Sequence, residues 1–472
     1  MNIKGISYYL GLFCFPLSFL AFLNILYSSY FDYYLNFDSY LMTLLASVFV
    51  GLAFYFFGKN AIKKISFHEQ IILIILIYFF VSLLISIPFY LSSTQITFIN
   101  SLFEAFSGLT GTGFSIFDNI KYLDPTLLLW RSSSQWIGGL YFLIFLALFF
   151  SNNKFNYKLN SLVFSGDKSL NPENNIKKIS LKLFFLYLAL TILIFIFFSI
   201  SKIRLFSGLN LSMTVISAGG FLPTDSLNQI ITTNTQKVFL ILSFFISLLN
   251  IYFFYNLFNK KNFFKKHYED FAIISLTIIF TIVLMFFIKN LDIFELSISV
   301  LSSLSTSGIA LSETNSNFSL YLLFLTLIGG SVISNTSGIK FLRIYILLKG
   351  TFIEIFKLVK PYNITNQYIL NSENKVTNEN IKISFLIFIS FFISLFILSG
   401  ILLFDNISFE DSFKLSILTL MNTSTNGLYG LSTIDFANLL TSSKVFIIIF
   451  MIIGKIELIS IFLIFKKMFF KS

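Results

Sequence analysis

The chain is poor in the residues that build most soluble active sites. It has one cysteine in 472 residues, Cys14, and that one sits inside an apolar run. A disulfide or a cysteine-ligated metal centre is therefore excluded. The two histidines, His68 and His267, fall in basic loops, which argues against a histidine metal site. Charged residues are only 12% of the chain, where an ordinary soluble domain carries about 25%. That scarcity rules out a soluble enzyme, a disordered protein and a nucleic-acid partner. No glycine-rich dinucleotide fingerprint is present, so no organic cofactor is expected.

What fills the chain instead is apolar. Hydrophobic residues make up 56%, with 65 phenylalanines, too many for one water-soluble core. Membrane lipid must solvate most of it. A spanning helix needs about 20 mostly apolar residues. Ten segments meet that length: 6–28, 39–58, 70–91, 126–150, 179–200, 235–258, 270–289, 317–348, 381–404 and 442–466. The first is too long for a signal peptide and reads as a membrane anchor. The net charge of +11 is gathered in alternate loops, around Lys59–Lys64, Lys154–Lys178, Lys260–Lys266 and Lys349–Lys375, and in the tail at Lys466–Lys471. The intervening loops carry Asp118, Asp124, Asp225, Asp292, Glu313, Asp405 and Asp435 instead. Under the positive-inside rule this alternation predicts a multi-pass protein with ten crossings and both termini in the cytoplasm.

Four of the acidic-side connections contain a half-length apolar stretch that breaks at small residues: 101–113, 205–220, 294–308 and 410–427. Each is too short to cross alone. Non-helical backbone at membrane depth is tolerated only where it lines a wet cavity or is buried in protein. The breaks repeat one pattern: Thr110-Gly111-Thr112-Gly113-Phe114, Ser217-Ala218-Gly219-Gly220-Phe221, Ser305-Thr306-Ser307-Gly308-Ile309 and Ser424-Thr425-Asn426-Gly427-Leu428. The key glycines recur about every hundred residues, as internal repeats do. The expected fold is an all-α integral membrane protein. Four pseudo-repeats of helix, pore loop and helix surround a central ion pore, with two additional N-terminal helices. The unit boundaries are 1–66 for the extra helices, then 67–165, 166–266, 267–375 and 376–472.

Such loops suit a bare potassium ion, which rings of backbone carbonyls repay for its lost water. Glycine lets the chain turn those carbonyls inward. The filter residues are then Thr112, Gly113, Gly219, Gly220, Ser307, Gly308, Asn426 and Gly427. The segment 317–348 would run roughly 48 Å as a straight helix, against a hydrocarbon core of about 30 Å. Its middle is rich in Gly, Ser, Asn and Thr, which predicts a broken helix with a gate loop at about 329–338. Gly330, Ser331, Ser334, Asn335, Ser337 and Gly338 belong to it. Lys455, a costly charge inside the last span, is assigned to the cavity below the filter. Glu457 is expected to face Lys340 or Arg343, and Glu104 to attract cations or brace its loop.

Taken together, these motifs resemble the Trk/Ktr family of bacterial potassium-uptake subunits from about residue 70 to the end. Trp130-Arg131 with Gln135-Trp136-Ile137-Gly138-Gly139 is similar to the family's stretch after the first pore loop. Gly329-Gly330, then Ser337-Gly338-Ile339-Lys340 and Arg343, resemble its broken third-repeat helix. Val359-Lys360-Pro361 and Gly454-Lys455-Ile456-Glu457 resemble its segments further on, with Lys455 where the family has arginine. The two extra N-terminal helices favour the TrkH type over the shorter KtrB type, while the fourth loop looks closer to KtrB. The resemblance implies potassium uptake across the inner membrane and a gate loop that occludes the pore. It also implies a homodimer and a cytoplasmic nucleotide-binding regulatory subunit of the TrkA/KtrA type. Two rival readings are a secondary transporter of another monovalent cation or small polar solute, and a membrane-embedded enzyme. Four equivalent loops on one face argue against the first. The lack of histidine and the few carboxylates in the spans argue against the second.

Overall fold

The computed structural model describes residues 2–32, 36–62, 65–92, 95–150, 176–257, 267–288, 292–311, 316–359, 368–369, 375–425, 427–432 and 434–456. Asn426, Glu457, Lys360 and Pro361 lie outside the described residues, as do most lysines of the basic loops. The described chain is helical, and its one β pairing is an isolated bridge between Tyr368 and Lys375.

Two helices lead, α1 (Ile3–Tyr30) and α2 (Phe37–Gly58). A long helix, a short helix and a further helix then follow one another four times. The first set is α3 (Phe67–Leu91), α4 (Phe98–Thr110) and α5 (Pro125–Phe150). The second is α6 (Ile176–Ile200), α7 (Leu205–Ile216), α8 (Asn234–Leu248) and the one-turn α9 (Ile251–Asn256). The third is α10 (Tyr268–Phe287), α11 (Ile293–Leu304), α12 (Ser316–Ile328) and α13 (Phe341–Val359). The fourth is α14 (Asn378–Leu402), α15 (Phe409–Met421) and α16 (Thr441–Ile456).

Hydroxyl and amide side chains cap these helices where the chain enters them. Thr97 accepts the Asn100 N–H at α4, and Thr233 with Gln236 forms a capping box at α8. Six described helices are long and apolar enough to cross a membrane: α1, α2, α3, α6, α10 and α14. Phe49, Phe56, Phe286 and Phe287 stand exposed on α2 and α10. Such surface is unfavourable in water by about 25 cal/mol per Å² and is at home in lipid. The molecule is an all-α, multi-pass membrane protein.

One of the ten expected spans is interrupted where a continuous helix is expected. The expected span 235–258 is split at Leu249, whose backbone is extended (φ −83°, ψ 163°). Asn250 then caps α9 by accepting the Tyr252 N–H at 3.0 Å. Asparagine competes with helix continuation in this way, and an apolar count does not register it. The segment 317–348 is broken as its composition suggested: α12 stops at Ile328 and α13 starts at Phe341.

Candidate functional site

The four short helices α4, α7, α11 and α15 end on one shared motif. Within two residues of each helix end the chain turns left-handed: at Gly111 (φ 77°), Ala218 (φ 55°), Thr306 (φ 58°) and Asn422 (φ 49°). The next N–H reaches back to a helix carbonyl. Thr112 bonds Ser107 at 3.0 Å, Gly219 bonds Thr214 at 2.9 Å, Ser307 bonds Ser302 at 3.0 Å and Thr423 bonds Leu418 at 2.9 Å. Positive φ costs a non-glycine residue about 1–3 kcal/mol. Ala218 and the β-branched Thr306 carry that strain at the same point of the motif, while asparagine tolerates it more easily.

This closure fixes the register. Gly113, Gly220, Gly308 and Ser424 occupy equivalent positions, so the fourth loop presents Ser424 where the sequence pattern suggested Gly427. Gly427 lies further along and is exposed. The small-residue pattern matches twice in Asn422–Gly427, and only the end of α15 decides between the matches.

The four equivalent residues pack together. A Cβ on Gly113 would lie 2.7 Å from the Gly220 Cα, and one on Gly220 would lie 2.3 Å from the Ser424 Cβ. A Cβ on Gly308 would meet the Ser424 carbonyl oxygen at 2.6 Å. Ser424 Oγ donates to the Ser307 carbonyl at 2.8 Å. The preceding hydroxyls brace the ring. Thr112 Oγ1 pairs with Thr110 Oγ1 at 2.8 Å and accepts from Asn422 Nδ2 at 2.9 Å; Ser307 Oγ pairs with Ser302 Oγ at 3.0 Å. At Gly219 the Gln135 side chain fills the space, its Oε1 accepting the Phe221 N–H at 3.2 Å.

On the side where the loops leave the ring lies a cavity of 380 Å³, lined in part by Gly113, Ser115, Gly220, Phe221, Thr425 and Gly427. Arg131 also lines it, and there forms a buried ion pair. Arg131 Nε donates to Glu104 Oε1 at 2.8 Å, and both side chains are almost wholly buried. Glu104 Oε2 accepts the Ile116 N–H at 3.0 Å, and Arg131 Nη2 donates to Ser115 Oγ at 2.9 Å. The guanidinium lies 4.1 Å from the Phe221 ring centre, tying the first loop to the second. Glu104 thus braces its loop. Removing one partner of a buried pair costs about 3–5 kcal/mol. Glu104→Gln should therefore lower the thermal midpoint of the detergent-solubilised protein clearly. Adding Arg131→Met should recover part of the loss, whereas additive losses would argue against the pair.

On the other side, where the short helices end, sits the segment between α12 and α13. Asn335 Nδ2 donates to the Ile216 carbonyl at 2.6 Å, and the Ser337 N–H reaches Thr306 Oγ1 at 3.2 Å. The segment therefore lies directly against the second and third loops. Gly330, Ser331, Ser334, Asn335 and Ser337 are all buried. Gly338 turns the chain at φ 87°. Lys455 is buried, donates to the Asn335 carbonyl and to Ser337 Oγ, each at 3.2 Å, and lies 4.5 Å from the Phe142 ring centre.

Several residues of this site were not read from the sequence. Ser331 N–H bonds the Leu248 carbonyl at 3.1 Å, and Ile251 N–H bonds the Ile333 carbonyl at 3.0 Å, across the α8–α9 break. Glu269 Oε1 accepts the Val332 N–H at 3.0 Å, and Asp270 Oδ1 accepts the Asn250 N–H at 2.8 Å. His267 Nδ1 in turn meets Asp270 Oδ2 at 2.9 Å. The available signal was the His267-Tyr268-Glu269-Asp270 cluster at the start of an apolar helix, which a charge count alone assigns to a loop.

Chemically, the ring gathers the C-terminal, partly negative ends of four helices, and no anion is favoured there. A family model described as TrkH, cation transport protein, matches residues 40–304. An uncharacterized cation transporter of Methanocaldococcus jannaschii is 26% identical over 463 residues, covering 93% of this chain and 91% of that one. The Trk system potassium uptake protein TrkG of Escherichia coli is 27% identical over 447 residues, covering 89% of each chain. The crystal structure of the potassium transporter TrkH from Vibrio parahaemolyticus superposes with a TM-score of 0.87 at 20% identity, covering all of both chains. The fold, the four repeated loops and the family match together show that the chain belongs to the TrkH family of cation transport proteins, transporters rather than enzymes.

Proposed function

We propose that the chain takes up potassium ions through the ring of four loops, with the 329–338 segment as the gate beneath it. The observation that carries this reading is the stacking of that segment directly against the second and third loops. The chemistry is consistent. A dehydrated potassium ion needs several oxygens and no fixed negative charge, and four helix C-termini add a cation-favouring potential. An inside-negative voltage supplies about 2.3 kcal/mol per charge per 100 mV, enough to drive accumulation without a coupled ion.

The finer assignments follow. The filter comprises Thr112, Gly113, Gly219, Gly220, Ser307 and Gly308, with Thr423 and Ser424 taking the positions first given to Asn426 and Gly427. The gate comprises Gly330, Ser331, Ser334, Asn335, Ser337, Gly338 and Lys455. The units run 1–66, 67–165, 166–266, 267–375 and 376–472. The basic loops face the cytoplasm together with both termini, in the inner membrane. There the chain acts as a homodimer with a nucleotide-binding regulatory subunit of the TrkA/KtrA type. Relatives named as Trk system proteins and the lysine-rich inner loops support that placement.

Reconstituted in liposomes, the chain should take up rubidium when a potassium gradient makes the interior negative. Shortening Ser331 to Ser337 should raise that uptake several-fold in the absence of any regulatory partner. Unchanged uptake by a well-folded shortened variant would remove the gate reading. No rubidium uptake by the parent, with sodium or a polar solute moving instead, would remove the potassium reading.

A further inference from the structure

The gate segment is folded around a side chain of its own. Lys340 is buried, and its Nζ is surrounded by oxygens of the segment. It donates to the Ser331 carbonyl at 3.3 Å, the Ser334 carbonyl at 3.2 Å, Ser334 Oγ at 3.4 Å, Thr336 Oγ1 at 3.1 Å and the Thr336 carbonyl. An ammonium has only three N–H donors. Five oxygens at such distances are shared among them, so the group is held as a sphere of charge more than as a set of directed bonds. Carbonyl and hydroxyl oxygens are also what replace the water shell of a bare potassium ion.

The backbone is bent to achieve this. Lys340 sits at φ 74°, in the left-handed region that a long side chain rarely adopts, and Gly338 at φ 87° makes the preceding turn. These turns send the side chain back into the segment that precedes it. The Ser334 and Thr336 hydroxyls, 2.8 Å apart, close the cradle, and Thr336 Oγ1 also accepts the Gly330 N–H at 3.1 Å. The Phe142 ring, which Lys455 also approaches, lies 5.5 Å from the ammonium.

We propose that the Lys340 ammonium is a built-in cation that holds the gate segment in its closed fold, in a cradle that accepts a free alkylammonium once the side chain is gone. The inference rests on the gate reading above. It assigns Lys340 a positioning role distinct from that of Lys455, which ties the segment to the last helix. Without the ammonium, five oxygens face one another with no positive charge between them, and the segment opens.

The test uses the full chain in liposomes and three rubidium measurements. Lys340→Ala should raise basal uptake at least tenfold, with the rubidium-to-sodium ratio at the parental value, because the filter is untouched. Adding n-propylammonium, which restores the missing carbons and charge, should bring uptake by Lys340→Ala back toward the parent. Lys340→Met keeps the volume of the stem without the charge. It should show raised uptake that n-propylammonium does not reverse. If the alanine variant yields no folded protein, the methionine variant alone decides: raised uptake supports the proposal and parental uptake overturns it. The proposal is also overturned if n-propylammonium inhibits parent and both variants alike, since the cradle is then not its site. A shortened 331–337 variant with parental uptake would instead bring down the gate reading itself. Raised uptake by that variant, with parental uptake in the Lys340 variants, would bring down only this inference.

Discussion

Gly308→Ser should cut the preference for potassium over sodium by about tenfold or more while the protein still inserts and folds. Gly308 sits at φ 69°, where any side chain is strained, and its Cβ would lie 2.6 Å from both the carbonyl oxygen and Oγ of Ser424 and 2.9 Å from its backbone nitrogen. Backbone cannot swing away as a flexible side chain can, so the ring itself must shift. The strain alone is about 1–3 kcal/mol, and about 1.4 kcal/mol is a factor of ten in relative affinity. Gly220→Ser should act in the same direction for a different reason. Its Cβ would meet the Ser424 Cβ at 2.3 Å, a side-chain clash. Ser424→Gly should therefore rescue part of the Gly220→Ser defect and little of the Gly308→Ser defect. Paired rubidium and sodium fluxes from liposomes provide the measurement. Parental ratios in both single variants would mean that this ring is not the filter.

The asymmetry between those two rescues comes from the fourth loop, which the sequence left ambiguous. Apolar length and basic-loop spacing were enough to place nearly every helix, because burial in lipid demands little more than length and hydrophobicity. The repeated small-residue pattern picks out structurally equivalent positions in three of the four loops, since Gly113, Gly220 and Gly308 each lie two residues past the left-handed residue of their loop. In the fourth loop Asn422 takes the left-handed position that glycine takes in the first. Asparagine is the residue besides glycine that most readily does so, and a search for glycine passes over it. The α8–α9 break was missed for a related reason. Leu249 and Asn250 lie in an apolar run, and the break that Asn250 caps is also held by hydrogen bonds to Ser331 and Ile333, some 80 residues away in sequence. In the sequence Lys340 stands out as the end of the Ser337-Gly338-Ile339-Lys340 motif and as a partner for Glu457, not as the centre of the segment. Its long side chain folds back on its own segment, a direction that helical spacing does not suggest.

The register also changes what the ring is made of. Three glycines and one serine meet where four glycines were expected, and Ser424 Oγ spends its hydrogen on the Ser307 carbonyl. That carbonyl belongs to the set proposed to face the ion. A donated hydrogen bond draws electron density from it and weakens it as a cation ligand. The fourth loop therefore tunes the third, and the two cannot be altered independently.

Beneath the ring, Lys455→Ala should raise basal cation uptake about tenfold. The lysine is 2% exposed and donates to the Asn335 carbonyl and Ser337 Oγ, both in the gate segment, while its own helix belongs to the fourth unit. It thus straps the last helix to the proposed gate segment, and on that reading also places a charge beside the ion's path. A hydrogen bond to a charged group contributes about 1.5–3 kcal/mol, so losing the strap alone shifts the open fraction by about tenfold or more. Losing the charge acts in the same direction, because a fixed positive group in a low-dielectric setting repels an entering cation. Lys455→Arg should behave like the parent, since a guanidinium keeps the charge and offers more donors to the same two oxygens. A lysine that merely reached for the membrane surface would be exposed, and neither variant would then change uptake. Rubidium uptake in a host lacking its own potassium uptake, at matched expression, separates these cases. Equal uptake by the parent and Lys455→Ala would show that the buried lysine does not guard the pore. Raised uptake in both variants would mean that the ammonium's shape, and not its charge, holds the segment closed.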